Sequence, residues 1–154
     1  MITTQPEDHS PTANAPPLLV RRLGYVSMLP FVLLSALLWT VRADVQGFVA
    51  IALTSYAGVV ASFLGGVHWG IAARLPQAQA KFHWLWGVAP SLMAWVALVM
   101  PAYAGLPLMG LVIGLCYAVD SYTYAQVGWG AWLALRLRLT MVAVLSCALG
   151  AATA

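Results

Sequence analysis

Phe82–Val119 reads FHWLWGVAPSLMAWVALVMPAYAGLPLMGLVIGLCYAV and contains no charged side chain. A bilayer crossing takes about 20 apolar residues, so this run is too long for one helix. The segment Pro101-Ala-Tyr-Ala-Gly-Leu-Pro107 divides it. Both prolines disfavour helix continuation, and Gly105 favours a turn. Two consecutive membrane crossings follow.

The pattern repeats on either side. Val45–Ala73 is free of charge and closed by Arg74, and Leu23–Val41 lies between Arg21-Arg22 and Arg42. A last apolar run starts near Trp132 and continues to the C-terminus. The reading is an all-α polytopic membrane bundle of five helices, at about residues 22–41, 47–73, 83–101, 105–124 and 132–153. Residues 18–154 make a single transmembrane domain. Residues 1–17, MITTQPEDHSPTANAPP, are polar and proline-rich and predict a disordered tail.

Composition agrees. Of 154 residues, 62% are hydrophobic and 7% charged, with a mean hydropathy of +0.87. Soluble domains carry about 25% charged residues, so the solvent for most of this chain is lipid. The net charge of +3 does not point to nucleic acid, because the basic residues stand singly or in pairs between apolar runs, as topology signals do. With the N-terminus cytoplasmic, that side receives Arg21, Arg22, Arg74, Lys81, Arg136 and Arg138, and the other side only Arg42. The expected orientation is N-terminus in. Cys116 and Cys147 stand alone in apolar runs and read as core filler, and no Cys/His spacing suits a metal. No cofactor is expected.

Helix length locates a buried polar level. Leu106–Val119 spans only about 21 Å at 1.5 Å per residue, against about 30 Å of hydrocarbon. The fourth helix therefore continues through Asp120 and submerges it. Leu139–Ala154 reaches only about 24 Å, so the fifth helix recruits Arg136 and Arg138. These two point about 200° apart on a helix. Arg136 shares its stripe with Thr140, Ala143 and Cys147 and faces inward, whereas Arg138 shares a lipid-like face and snorkels. An ion left alone in a bilayer is costly, so an Asp120–Arg136 pair is expected. The pair either locks the last two helices together or lines a site for a polar headgroup or proton. His68 lies about 9 Å below Arg74, at the same level, and needs a partner such as a serine, a backbone carbonyl or Asp120.

In Ser62–Gly70, SFLGGVHWG, small residues recur every fourth position: Gly58, Ser62, Gly66 and Gly70, widened by Ala61 and Gly65. Such a strip packs helix against helix. Trp84 and Trp86 read as interfacial anchors, and Trp95 as a core filler. Pro30 and Pro90 predict helix kinks. Residues 121–135, with four aromatic side chains, predict a surface-lying or re-entrant segment over the polar cluster.

Leu23-Gly24-Tyr25, Leu29-Pro30-Phe31, Tyr56, Ser62–Gly70, Pro90-Ser91-Leu92, Trp95, Leu135-Arg136 and Leu139-Thr140 together resemble an uncharacterised family of small multi-helix inner-membrane proteins, which includes transmembrane protein 69-like proteins. The resemblance covers nearly everything after the tail, and its most specific element is SFLGG-x-x-WG. It implies an integral inner-membrane protein without an assigned activity. The chain shows no Arg-rich presequence, and a bacterial cytoplasmic membrane is the expected location. No paired carboxylates or Ser/His/Asp order can be drawn, so an enzyme is not expected and no catalytic residues are assigned. The leading expectation is a structural, accessory or assembly protein. It would be embedded in the lipid bilayer and partnered with a larger membrane complex or with copies of itself. The alternative is a lipid- or quinone-type binding protein using His68, Asp120 and Arg136. An ion-coupled transporter is remote, since five helices do not divide into equal repeats.

Overall fold

The computed structural model describes residues 15–153. The expected disordered tail lies outside the described residues, apart from Ala15–Pro17, which form no regular element. Six α-helices follow: α1 Leu18–Val26, α2 Leu29–Leu38, α3 Ala43–Ala72, α4 Gln77–Val99, α5 Ala102–Gln126 and α6 Leu133–Ala151, the last preceded by a 3-10 turn at Gly130–Trp132. There is no strand among the described residues. The α1–α2 segment and α3, α4, α5 and α6 with its 3-10 turn are each long and apolar enough to cross a membrane, which makes five spans.

The first span is broken where proline requires it. Pro30 is the second residue of α2, and its ring cannot tolerate a helical carbonyl four residues earlier; α1 ends at that residue, Val26. The break is hydrogen-bonded within the protein. Ser27 Oγ donates to the Gly24 carbonyl at 2.7 Å, and the Tyr56 hydroxyl of α3 donates to the Ser27 carbonyl at 2.7 Å. At the far end of α2, Gln46 Nε2 donates to the Leu38 carbonyl at 3.2 Å. Polar backbone in lipid needs such partners.

Helix α3 is the central element and packs on α2, α4, α5 and α6. Large apolar side chains fill the centre, among them Phe31, Leu53, Leu106 and Met109, each 0% exposed. Otherwise the interior is small: Ala57, Ala61, Ala94, Ala97, Ala143 and Cys147 are all buried. The outer surface carries bulky apolar groups such as Phe48, Phe63, Leu85 and Leu111. Small inside and greasy outside is the arrangement lipid selects, because helices there associate through close packing.

Several expectations need correction. Trp95 does not fill the core; at 64% exposed it faces outward, because the buried face of α4 runs through His83, Gly87, Pro90, Ala94 and Ala97. The small-residue stripe on α3 is rotated from its expected position. Gly58 meets Met109 and Leu98, and a Cβ on Gly65 would stand 2.5 Å from the Gly87 carbonyl oxygen. Gly66 and Gly70, by contrast, are exposed, with nothing among the described residues within 4 Å of where a Cβ would go. Ser62 is only half-buried.

Helix starts lie further out than charge counting suggests. Helix α4 begins six residues before His83, so Lys81 lies inside it, and α5 begins at Ala102, ahead of the expected start at Gly105. Pro90 is buried inside α4, which continues through it. Residues 121–126 belong to α5 and leave only a short connection. There Gly128 adopts φ 76°, and the Trp129 N–H closes the helix end on the Tyr124 carbonyl at 2.8 Å.

Candidate functional site

Each of the four long helices sends one polar side chain to a single point. His68 comes from α3, His83 from α4, Asp120 from α5 and Arg136 from α6. His68 and Asp120 are each 1% exposed and His83 5%, and the Arg136 side chain is 12% exposed. Ions at that depth persist only when paired and hydrogen-bonded.

The pairing is complete. Arg136 donates to Asp120 Oδ2 through Nε at 2.9 Å and also through one terminal nitrogen. The other carboxylate oxygen, Oδ1, lies 3.0 Å from His68 Nε2. His68 Nδ1 lies 2.8 Å from His83 Nδ1. A carboxylate only accepts, so His68 Nε2 carries the proton towards Asp120. In a neutral imidazole the other nitrogen is then an acceptor, and His83 Nδ1 must donate to it. For a neutral His68 the chain of donation runs His83 to His68 to Asp120, with Arg136 donating to Asp120 from the other side. Only one proton fits between the two imidazoles.

Local structure explains this convergence. Helices α3 and α4 form an antiparallel hairpin about Ala73–Pro76, so residues equally far from the turn meet. His68 meets His83, Gly65 meets Gly87, and Trp69 Nε1 donates to the Trp84 carbonyl at 3.1 Å. The Gly65–Gly87 approach brings the two backbones close enough for the imidazoles to touch. Trp86 stands edge-on to His68, with ring centroids 6.4 Å apart, rather than serving only as an interfacial anchor. Of the residues singled out from the sequence, His68, Asp120 and Arg136 come together. His83 was missed, and its signal was its equal distance from the turn.

The Arg136 end of the network forms part of the wall of a cavity of about 560 Å³, within the ordinary range for ligand sites. The cavity lies between α1, α3 and α6, and the 3-10 turn closes one end. Its lining is overwhelmingly apolar. The polar residues on it are Arg136, Thr140, Tyr124, Tyr56 and Ser27, and Tyr124 is hydrogen-bonded to Arg136. The hydroxyl protons of Ser27 and Tyr56 are already committed to backbone carbonyls. The Thr140 hydroxyl is fully buried and has no hydrogen-bond partner among the described residues.

A family model described as "Protein of unknown function (DUF3429)" matches residues 16–152. The chain belongs to this family. It is also similar to "Transmembrane protein 69" of Xenopus tropicalis, 38% identical over 133 residues, a match covering 80% of this chain and 50% of the relative. The chain thus spans about half the length of the curated relative it matches. No solved structure matches it. Family membership and the five apolar spans together make this a helical membrane protein of a family without an assigned function.

Proposed function

We infer that this family member is a non-enzymatic membrane protein that binds an amphipathic, lipid-like molecule inside its helix bundle. One observation carries the reading: the buried His83–His68–Asp120–Arg136 network ends at the wall of an apolar cavity of about 560 Å³. A network that only locked helices together would need no space beside it. The cavity gives a tail an apolar channel, and Arg136 gives a head its polar contact. The distribution of its basic residues supports an orientation with the N-terminus and the α3–α4 turn on the cytoplasmic side.

Mass spectrometry of lipid extracts from protein purified in mild detergent tests this reading. A molecule enriched to near-stoichiometric amounts over bulk lipid is the expected result. An extract with the composition of bulk membrane would refute it.

A second reading, an accessory protein of a larger membrane assembly, is favoured by the exposed Gly66 and Gly70, against which nothing among the described residues packs closely. It predicts that a stoichiometric protein partner co-purifies and that Gly66→Leu releases it.

A further inference from the structure

The wall of the cavity constrains the chemistry of its occupant, on the reading that an amphiphile binds there. Arg136 and Thr140 are one turn apart on the same face of α6, and both line the cavity. Arg136 carries five N–H groups, of which Nε and one terminal nitrogen are directed at Asp120. A further hydrogen bond joins Arg136 to the Tyr124 hydroxyl, and the remaining guanidinium N–H groups are the donors on this wall. The strongest acceptor nearby, the Asp120 carboxylate, is saturated by Arg136 and His68. A head that fits this wall therefore accepts hydrogen bonds.

Its charge is constrained as well. Among the described residues Arg136 is the only ionised side chain on the wall, and Asp120 directly behind it already neutralises it. An anionic head would add an uncompensated charge in a low-dielectric interior, which is strongly unfavourable. The head is therefore neutral.

Its shape follows from the aromatic corner beside Arg136. Tyr124 meets Trp129 edge-to-face at 5.6 Å, and Trp129 lies 29° from parallel to Trp132 at 6.0 Å; all three line the cavity. Aromatic walls favour a flat conjugated ring. The tail has an exit too. Leu23 of α1 and Val59 and Phe63 of α3 line the cavity and are also more than half exposed on the lipid-facing surface. The mouth thus opens sideways into the bilayer between α1 and α3.

We propose that the cavity binds a neutral amphiphile with a planar conjugated carbonyl head, of the quinone class. Its carbonyl oxygen accepts from Arg136, its ring lies against Trp129, and its tail leaves between α1 and α3.

The test titrates the full chain in nanodiscs with a decyl-substituted benzoquinone, following tryptophan quenching, with dodecanoate as the anionic comparison. The expected result is saturable quenching that dodecanoate does not displace. Trp129→Leu should weaken it about tenfold, the effect of one lost buried contact, and Val60→Trp, which fills the cavity, should abolish it, both with unchanged thermal unfolding. Saturable dodecanoate binding without saturable quinone binding would overturn the proposed head and leave amphiphile binding standing. Quinone binding indifferent to both variants would place it elsewhere and overturn the proposal. If neither probe saturates and lipid extracts show no enrichment, both the proposal and the reading beneath it fail.

Discussion

Asp120 is the least solvated carboxylate among the described residues, and both its oxygens accept hydrogen bonds. Removing one member of a buried pair costs about 3–5 kcal/mol, because the other charge stays behind without compensation. Asp120→Asn and Arg136→Gln are each expected to destabilise the protein by about that amount, and the double variant by clearly less than their sum. Equilibrium unfolding in mixed micelles measures the cycle, and additive effects would refute direct pairing. The imidazoles give a second expectation. With Nδ1 atoms 2.8 Å apart and one shared proton, ¹⁵N-histidine spectra should show scalar coupling across an N–H···N bond between His68 and His83. Its loss in His83→Gln, with the fold intact, assigns it. The ion pair was legible because helices four and five are too short without Asp120 and Arg136. His83 was not, because its side chain acquires meaning only once α4 is known to begin at Gln77.

At the level of helices, glycine position decides packing. Gly65 and Gly66 are adjacent and chemically identical, yet a Cβ on Gly65 would collide with the Gly87 carbonyl, and one on Gly66 would meet nothing. Gly65→Ala is expected to cost about 1–3 kcal/mol, the usual penalty of overpacking. Gly66→Ala should be neutral or stabilise by up to about 1 kcal/mol, from helix propensity alone. Thermal unfolding in detergent compares the two, and equal losses would contradict the rotated stripe. The four-residue spacing showed that α3 has a small face but not which of two overlapping small faces points inward. Ala57, Ala61, Gly65 and His68 win because that line brings His68 to Asp120. Trp95 was misread for a related reason. Depth along a helix says nothing about rotation around it, and Ala94 and Ala97 set the buried side of α4. The start of α4 was placed too far in because Lys81 was read as lying outside a span that contains it.

For the molecule as a whole, the number of spans and the all-helical class were open to reading from uncharged runs, since lipid tolerates little else. The cavity was not. It arises where Pro30 parts α1 from α2, leaving α1 leaning chiefly on α6 beside a space bordered by α3. Orientation can be tested independently. Both native cysteines are buried, so the background of thiol labelling is low. In sealed, right-side-out vesicles, a cysteine at Thr40 should react with an impermeant maleimide and one at Gln79 should react only after the vesicles are opened. The reverse pattern would invert the proposed topology.

The central claim is that the buried network supports a space that holds a ligand. It is tested most directly by comparing molecules retained by the wild-type protein and by Val60→Trp, which fills the cavity from α3. The account predicts one amphiphile at near-stoichiometric amounts on the wild type, absent from an equally folded Val60→Trp variant. Equal retention by both proteins, or none on the wild type, would contradict it.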